Sequence, residues 1–481
     1  MATPHNFFPL FSGPRVTRDL LGLPLDWATI SSWLDPTIGA DIPPPLAQAP
    51  LKKKCPEIPA LPNYRSRPPN SFWSTFPSQS LPEGISTQIN IKVLKAKVAN
   101  MTGRWTSHQK ERAARAIKDL SQGASAFQGP PLPSTVVPNA ESAYINGEAI
   151  TDALGAWIKS KIILGPFDQP PVKDFRVNCI MAVVQKDKVR PVLDMSRPKD
   201  RSFNSNIEIH KLDHVTMSTA RQFSYTLREA GKGAIMTKLD MKDAYKLVPC
   251  QKEDWRLQGM SWLGKYFIEP QMIFGATSAV ANYDAQSRTA NDLAVAECEI
   301  PTRWTHRILD DTTAVSPADS GWTLRFTEAY KSICQELSIP LAAPCPNREK
   351  AFENTTSGRV MGIWFDSTTM SWSYPLDKAV PTIRSIHHTM EVGMATLHQM
   401  QVIAGELNDV ALLCPFLKAF RKPTNEFMSS FEGNEDLELA IPDRVKKDLA
   451  IQLKVLVTAS IGLPVAVKPS PPPSEPDHIH I

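Results

Sequence analysis

The chain has 481 residues, 42% hydrophobic and 21% charged, which allows two to four domains and excludes collagen-like, coiled-coil and wholly disordered architectures. A formal net charge of +4 provides no whole-molecule field for a polyanion, so any nucleic-acid site has to come from local clusters. Seven cysteines, an odd number without a C-x-x-C pair, fit neither a disulfide framework nor a zinc ribbon and point to a reducing compartment. The start, MATPHNFFPLFSG, lacks the pattern of a signal peptide, and no run of about 18 apolar residues occurs. The expectation is a soluble intracellular protein, cytoplasmic and/or nuclear, with no membrane partner.

In chain order, proline dominates first. Of 43 prolines, 16 precede residue 83, with Trp27, Trp33, Phe72 and Trp73 among them. Such spacing prevents long helices and leaves a largely extended leader with short docking segments, placed over residues 1–138. Residues 92–118 then carry eight Lys/Arg against Glu111, and Thr106 with Gln109 has capping-box spacing for a helix to about Leu120. This basic stretch near 92–120 reads either as a solvated helix face or as a phosphate-tracking surface. The main domain boundary falls in the Gly/Pro-rich stretch 128–138. Beyond it a helix is expected over 148–161, and two strands over 178–184 and 189–195, joined by a polar turn. Strands near 234–239, 305–309 and 312–315 alternate with helices near 214–229, 276–295 and 323–337, an α+β pattern over 139–375. Helices dominate 376–425, where Leu397, Met400, Ile403, Leu407 and Val410 fall at helical spacing and are expected in the core. A connecting tail completes the chain over 426–481.

The chemistry lies in two stretches. In AIMTKLDMKDAYKLV an apolar strand delivers Asp240 at its end, with Asp243 and Tyr245 just after it. In RWTHRILDDTTAVSP a tight hairpin carries Asp310 and Asp311 at its tip. Three carboxylates from two strand ends can hold two divalent cations, Mg²⁺ or alternatively Mn²⁺, for an in-line phosphoryl displacement. Taken singly these signals are common in proteins, since an Asp at a strand end is often a turn residue.

Their order gives them meaning. From about Tyr144 to Phe420 the chain resembles the reverse transcriptases of retroelements. LDMKDAY is similar to the family's first catalytic motif, which implies Asp240 as metal ligand and Tyr245 as the ring that excludes a 2′-hydroxyl. RILDDT resembles the second, implying Asp310 and Asp311 as the other ligands. MIFGATSAVANYDA resembles the glycine-containing motif, with Phe274 and Gly275 against the incoming nucleotide and template. KDKVRPVLDMSRP resembles the fingers hairpin, implying Arg190 and Lys186 or Lys188 as clamps on the triphosphate. LAAPCPNREKAFE and GRVMGIWFD resemble the last palm motif and the primer grip, implying Lys350 beside the pyrophosphate and Met361-Gly362 as the turn at the primer end.

The resemblance implies a right-hand polymerase of fingers, palm and thumb, with residues 376–425 as thumb-like helices. It implies an RNA-directed DNA polymerase acting on an RNA template, a DNA or RNA primer and dNTPs, alongside other retroelement proteins. Ile308 stands where most relatives carry tyrosine and Ala279-Val280 where many have Ala-Pro; with KAFEN these look closest to DIRS-like, tyrosine-recombinase elements. The tail looks like the approach to an RNase H strand without its acid, so no RNase H activity is expected of this chain. Two other readings stay open: an RNA-dependent RNA polymerase, which the bulk of Tyr245 opposes, and a catalytically inactive retroelement-derived nucleic-acid-binding protein.

Overall fold

Side chains that close on the backbone set where many of the helices begin. In the computed structural model, which describes residues 70–77, 79–101, 103–185 and 188–466, Asn90 accepts from the Val93 amide to open α1 (Ile91–Asn100). Thr106 and Gln109 form the expected capping box of α2 (Ser107–Gln122). Helix α3 (Gly147–Lys159) leads to strands β1 (Leu164–Phe167), β2 (Val177–Gln185) and β3 (Lys188–Asp194). Helix α4 (Ala220–Ala230) starts later than the 214 expected from hydrophobic pattern. Residues before it are held extended, as where the Ser218 amide donates to the Arg307 carbonyl at 3.0 Å, and a second capping box, Thr219 with Gln222, fixes the true start.

Strands β4 (Ile235–Asp240), β5 (Gly259–Trp262) and β6 (Lys265–Ile268) precede the long helix α5 (Thr277–Cys298). The hairpin β7 (Thr305–Ile308) and β8 (Asp311–Ser316) then leads to α6 (Trp322–Glu336). Strands β9 (Phe352–Thr355), β10 (Ser357–Val360), β11 (Ile363–Asp366) and β12 (Ser371–Ser373) follow. The remainder is α7 (Leu376–Val392), β13 (Met394–Thr396), α8 (Leu397–Leu413), α9 (Lys422–Ser429), β14 (Glu438–Ala440), α10 (Asp443–Ile461) and β15 (Leu463–Pro464).

Three larger sheets organise these elements. The central one is antiparallel in the order β7-β8-β4-β9. A five-stranded sheet, β1-β6-β5-β2-β3, contains the long β2–β3 hairpin and one parallel pair, β2 with β5. The third, β10-β11-β12-β15, is antiparallel, and its first turn is Met361-Gly362, as expected. Both turn residues have positive φ, +53° and +78°, the combination a two-residue hairpin of matching twist requires.

The faces of the central sheet belong to different cores. Leu239 and Ala314 join one that extends from Trp73 to Ile339, while Met236 and Val315 join another that runs from Ala220 to Val465. Leu397, Met400, Ile403, Leu407 and Val410 are all buried in the second, as their spacing predicts. That core also takes in Val445, Leu449 and Leu456 of α10, so helical packing continues past 425.

The basic stretch divides: Lys92, Lys95, Arg104, Lys110 and Lys118 are exposed, while Lys97 and Arg112 face acids of other helices. Lys97 pairs with Glu297 at 2.9 Å and Glu336 at 3.0 Å, and Arg112 pairs with Asp292 at 2.6 Å, which dock α1 and α2 on α5 and α6. Leu94, Ala113 and Leu120 complete the contact from the apolar side, and Leu132 of the stretch 128–138 lies in the same core. Trp73 is buried against Phe267, with ring centroids 5.2 Å apart. Among the described residues, six cysteines are free, and no helix is long and apolar enough to cross a membrane.

Candidate active site

Strand alternation determines which side chains share a face. Pairing of Asp240 with Asp311 and of Lys238 with Thr313 places Lys238, Asp240 and Asp311 on one side of the central sheet. Directly opposed side chains stand about 4.5–5.5 Å apart at Cβ. Asp310 occupies the two-residue turn between β7 and β8. Backbone bonds fasten the turn to the end of β4: the Met241 amide donates to the Asp310 carbonyl at 3.1 Å, and Ala342 donates to the Asp240 carbonyl at 2.8 Å. The three acids of the sequence pattern are therefore brought to one end of the sheet.

Their electrostatics are those of crowded, half-buried carboxylates. Burial raises Asp240, opposed by the charges of Lys238, Lys350 and Lys242. Burial also raises Asp310, helped by repulsion from Asp240. Asp311 is pushed up to about 6 by burial, although Lys238 works against the shift. The Lys238 Nζ lies 2.9 Å from Asp311 Oδ2, and its side chain is only 9% exposed. One ammonium thus acts on all three acids. Among the described residues no group of three His, Cys, Asp or Glu side chains forms a ready metal centre. The oxygen-only donors nevertheless suit a hard divalent cation, and their raised affinity for protons reflects first the burial of all three carboxylates.

Beside the acids stands an aromatic group. Tyr245 follows the left-handed Asp243 (φ +55°) in a short 3-10 turn, Ala244–Leu247; Asp243 makes no side-chain cap there. Its ring lies 5.5 Å from that of Phe274, edge to face, and 5.3 Å from that of Tyr283. Burial and the charge of Asp310 push the Tyr245 hydroxyl up to about 12, so it stays protonated near the carboxylates. Phe274 is 64% exposed despite its contact with Tyr245, large for an aromatic ring. Gly275 has φ +104°, which disfavours any side chain, and its carbonyl accepts from Asn204 Nδ2 at 2.8 Å. Lys350 is exposed, and its charge reaches Asp240.

Other expected residues are not drawn in. Arg190 is exposed on β3, paired in register with Val183, and is not among the charges acting on the three acids. Lys186 and the side chain of Lys188 lie outside the described residues.

A buried network on the reverse side went unread in the sequence. The Leu309 carbonyl, one residue before Asp310, accepts from Ser287 Oγ at 2.5 Å and from Arg307 Nη1 at 3.1 Å. Arg307 pairs with Asp284, which also accepts from Arg288 Nε at 2.8 Å. Leu309 has φ +50°, so these bonds hold a backbone conformation that leucine does not favour. Ile308, in place of the family tyrosine, packs with Val280 against Val215, Met217 and Ala281, so both departures from the family wording fall in one apolar cluster. An i, i+4 spacing of Asp284 and Arg288 was the available hint.

No protein-family model and no curated protein matches the chain. Solved structures do. A foamy viral protease-reverse transcriptase in complex with an RNA/DNA hybrid superposes with a TM-score of 0.52 at 14% identity, covering 80% of this chain and 48% of that one. The dRH form of that protein in complex with double-stranded DNA gives 0.48 at 13% identity, covering 80% and 63%. A further double-stranded DNA complex gives 0.46 at 13%, covering 79% and 74%. The chain spans about half the length of the protein in the hybrid complex. At this identity the likeness is one of fold: a mixed helix-and-sheet architecture shared with reverse transcriptase structures.

Proposed function

We propose that this chain is an RNA-directed DNA polymerase of a retroelement, built as fingers, palm and thumb and transferring nucleotides to a primer 3′-hydroxyl. The observation that supports it most is the register of β4 against β8. That register sets Asp240 beside Asp311, with Asp310 at the adjoining turn, in a fold that a reverse transcriptase bound to an RNA/DNA hybrid shares.

Asp240, Asp310 and Asp311 would hold two Mg²⁺ ions, or Mn²⁺, which when bound activate the attacking hydroxyl and stabilise the leaving pyrophosphate. The carboxylates supply oxygen donors, and Asp311, pushed up to about 6 by burial, is charged above that pH. Tyr245 stands where its ring would crowd a ribose 2′-hydroxyl, and Phe274 with Gly275 offers an exposed edge for the nucleotide and template. Lys350, whose charge reaches Asp240, would steady the pyrophosphate charge. Arg190, with Lys186 or Lys188, would meet the triphosphate from the β2–β3 hairpin. In this reading the central sheet with α5 and α6 is the palm, the β2–β3 hairpin belongs to the fingers, and residues 376–425 form the thumb. Residues 1–138 remain a leader whose end docks on the palm, and 426–481 connect onward. The source would be a DIRS-like element, its partners an RNA template, a DNA or RNA primer and dNTPs.

Primer extension tests the reading and its rivals. The wild type should extend a primer on RNA with dNTPs and discriminate against NTPs. Tyr245→Ala should relax that discrimination by about tenfold or more, because a pocket that excludes one hydroxyl by bulk loses its basis. Preference for NTPs in the wild type would favour an RNA polymerase. Duplex binding without extension would favour an inactive nucleic-acid-binding product.

A further inference from the structure

Among the described residues, Lys238 is the lysine that shares a sheet face with Asp240 and Asp311, two residues before the end of β4. Its neighbours on that face are Asp240, two residues along β4, and the cross-strand pair Thr313 and Asp311. The ammonium bonds Asp311 at 2.9 Å and is nearly enclosed, whereas an ordinary surface lysine would extend to solvent. An enclosed charge needs a partner, and Asp311 with the fields of Asp240 and Asp310 provides it. A cation bound by the same carboxylates would meet a positive charge already in place.

We infer that Lys238 is an internal counter-cation, which neutralises the acid cluster before a divalent ion arrives and competes with that ion for Asp311. The inference rests on the polymerase reading only in taking the three acids as metal ligands. It adds a determinant of metal affinity contributed by the chain itself, at a position that touches neither primer nor nucleotide in the proposed arrangement. With Lys238 in place, Asp311 Oδ2 is engaged, and a cation that takes that oxygen has to displace the ammonium. The consequence is binding weaker than the carboxylates alone would give.

Calorimetric titration of the full chain with MnCl₂, without nucleic acid or nucleotide, tests this apart from activity. Lys238→Met removes the charge while keeping most of the aliphatic stem, and should bind about tenfold more tightly, as expected for a unit charge removed from a few ångströms away. Lys238→Gln keeps a hydrogen-bond donor for Asp311 and should shift in the same direction, which covers failure of the methionine variant to fold. Lys238→Arg keeps the charge and should stay within about twofold of wild type. Asp310→Asn serves as the reference and should bind at least about tenfold more weakly. Neutral variants that bind no more tightly than wild type, while Asp310→Asn weakens binding, would overturn the competition and leave the metal site standing. Unchanged binding in Asp310→Asn would remove the metal site itself, and this inference with it.

Discussion

The two faces of the central sheet are made by the same strands and end in opposite conditions. On one, Thr237, Leu239, Thr312 and Ala314 meet α6, and each hydroxyl finds a partner: Thr327 donates to Thr237 at 3.1 Å, and Thr312 donates to the Tyr330 hydroxyl at 3.2 Å. Near its edge the Arg307–Asp284 pair is buried with both charges matched. On the other face, α4 covers the end carrying Met236 and Val315, and Lys238, Asp240 and Asp311 occupy the end beyond it. Closure of the first face fixes the register, and a register fixed by one face dictates what the other presents. Closed packing and the carboxylate cluster are thereby assigned to alternate residues of one strand.

Substitutions should separate accordingly. The largest effect on stability is expected from Asp284→Ala on the closed side, which strands Arg307 and Arg288 without their carboxylate. Chemical denaturation should show a loss of about 3–5 kcal/mol. Thr327→Val, nearly the same shape without the hydroxyl, should cost about 1 kcal/mol. Substitutions of the acids should go the other way. Asp310→Asn removes a crowded charge from a half-buried site and should leave metal-free stability unchanged or raise it by up to about 1 kcal/mol while abolishing synthesis. A loss of stability as large as that of Asp284→Ala would erase the distinction between the faces.

Acidity offers a finer test. Asp311 titrates higher folded, at about 6, than its ordinary 3.8, so the folded state holds its proton more tightly than the unfolded chain does. Its contribution therefore favours folding below about pH 4 and is lost as pH rises through about 6. Metal-dependent activity should run oppositely, falling as acid protonates the carboxylate, at a pH that a bound cation would set below the metal-free value of about 6. A pH–activity profile of the wild type beside metal-free melting curves would show the two trends crossing.

Local signals made part of this legible. Asp240, Asp310 and Asp311 lie at strand ends bracketed by apolar runs and turn residues, and α2, α4 and α8 carry capping boxes, so the acids and part of the scaffold could be read along the chain. What escaped was contact between distant segments. Lys238 looks like one more residue of a strand until the Lys238–Thr313 register is known. The cations at Lys97 and Arg112 look like a nucleic-acid surface until acids about 180 to 240 residues away are found facing them. The Ser287 and Arg307 bonds to Leu309 depend on where α5 passes behind the hairpin, which no local pattern specifies.

The most direct test of the central claim is primer extension by the wild type and by Asp310→Asn on one RNA template, with dNTPs and Mg²⁺, at matched primer–template occupancy. The account predicts extension by the wild type and a loss of at least about a thousandfold in the variant, with duplex affinity retained. Extension by Asp310→Asn at a rate near that of the wild type would contradict it.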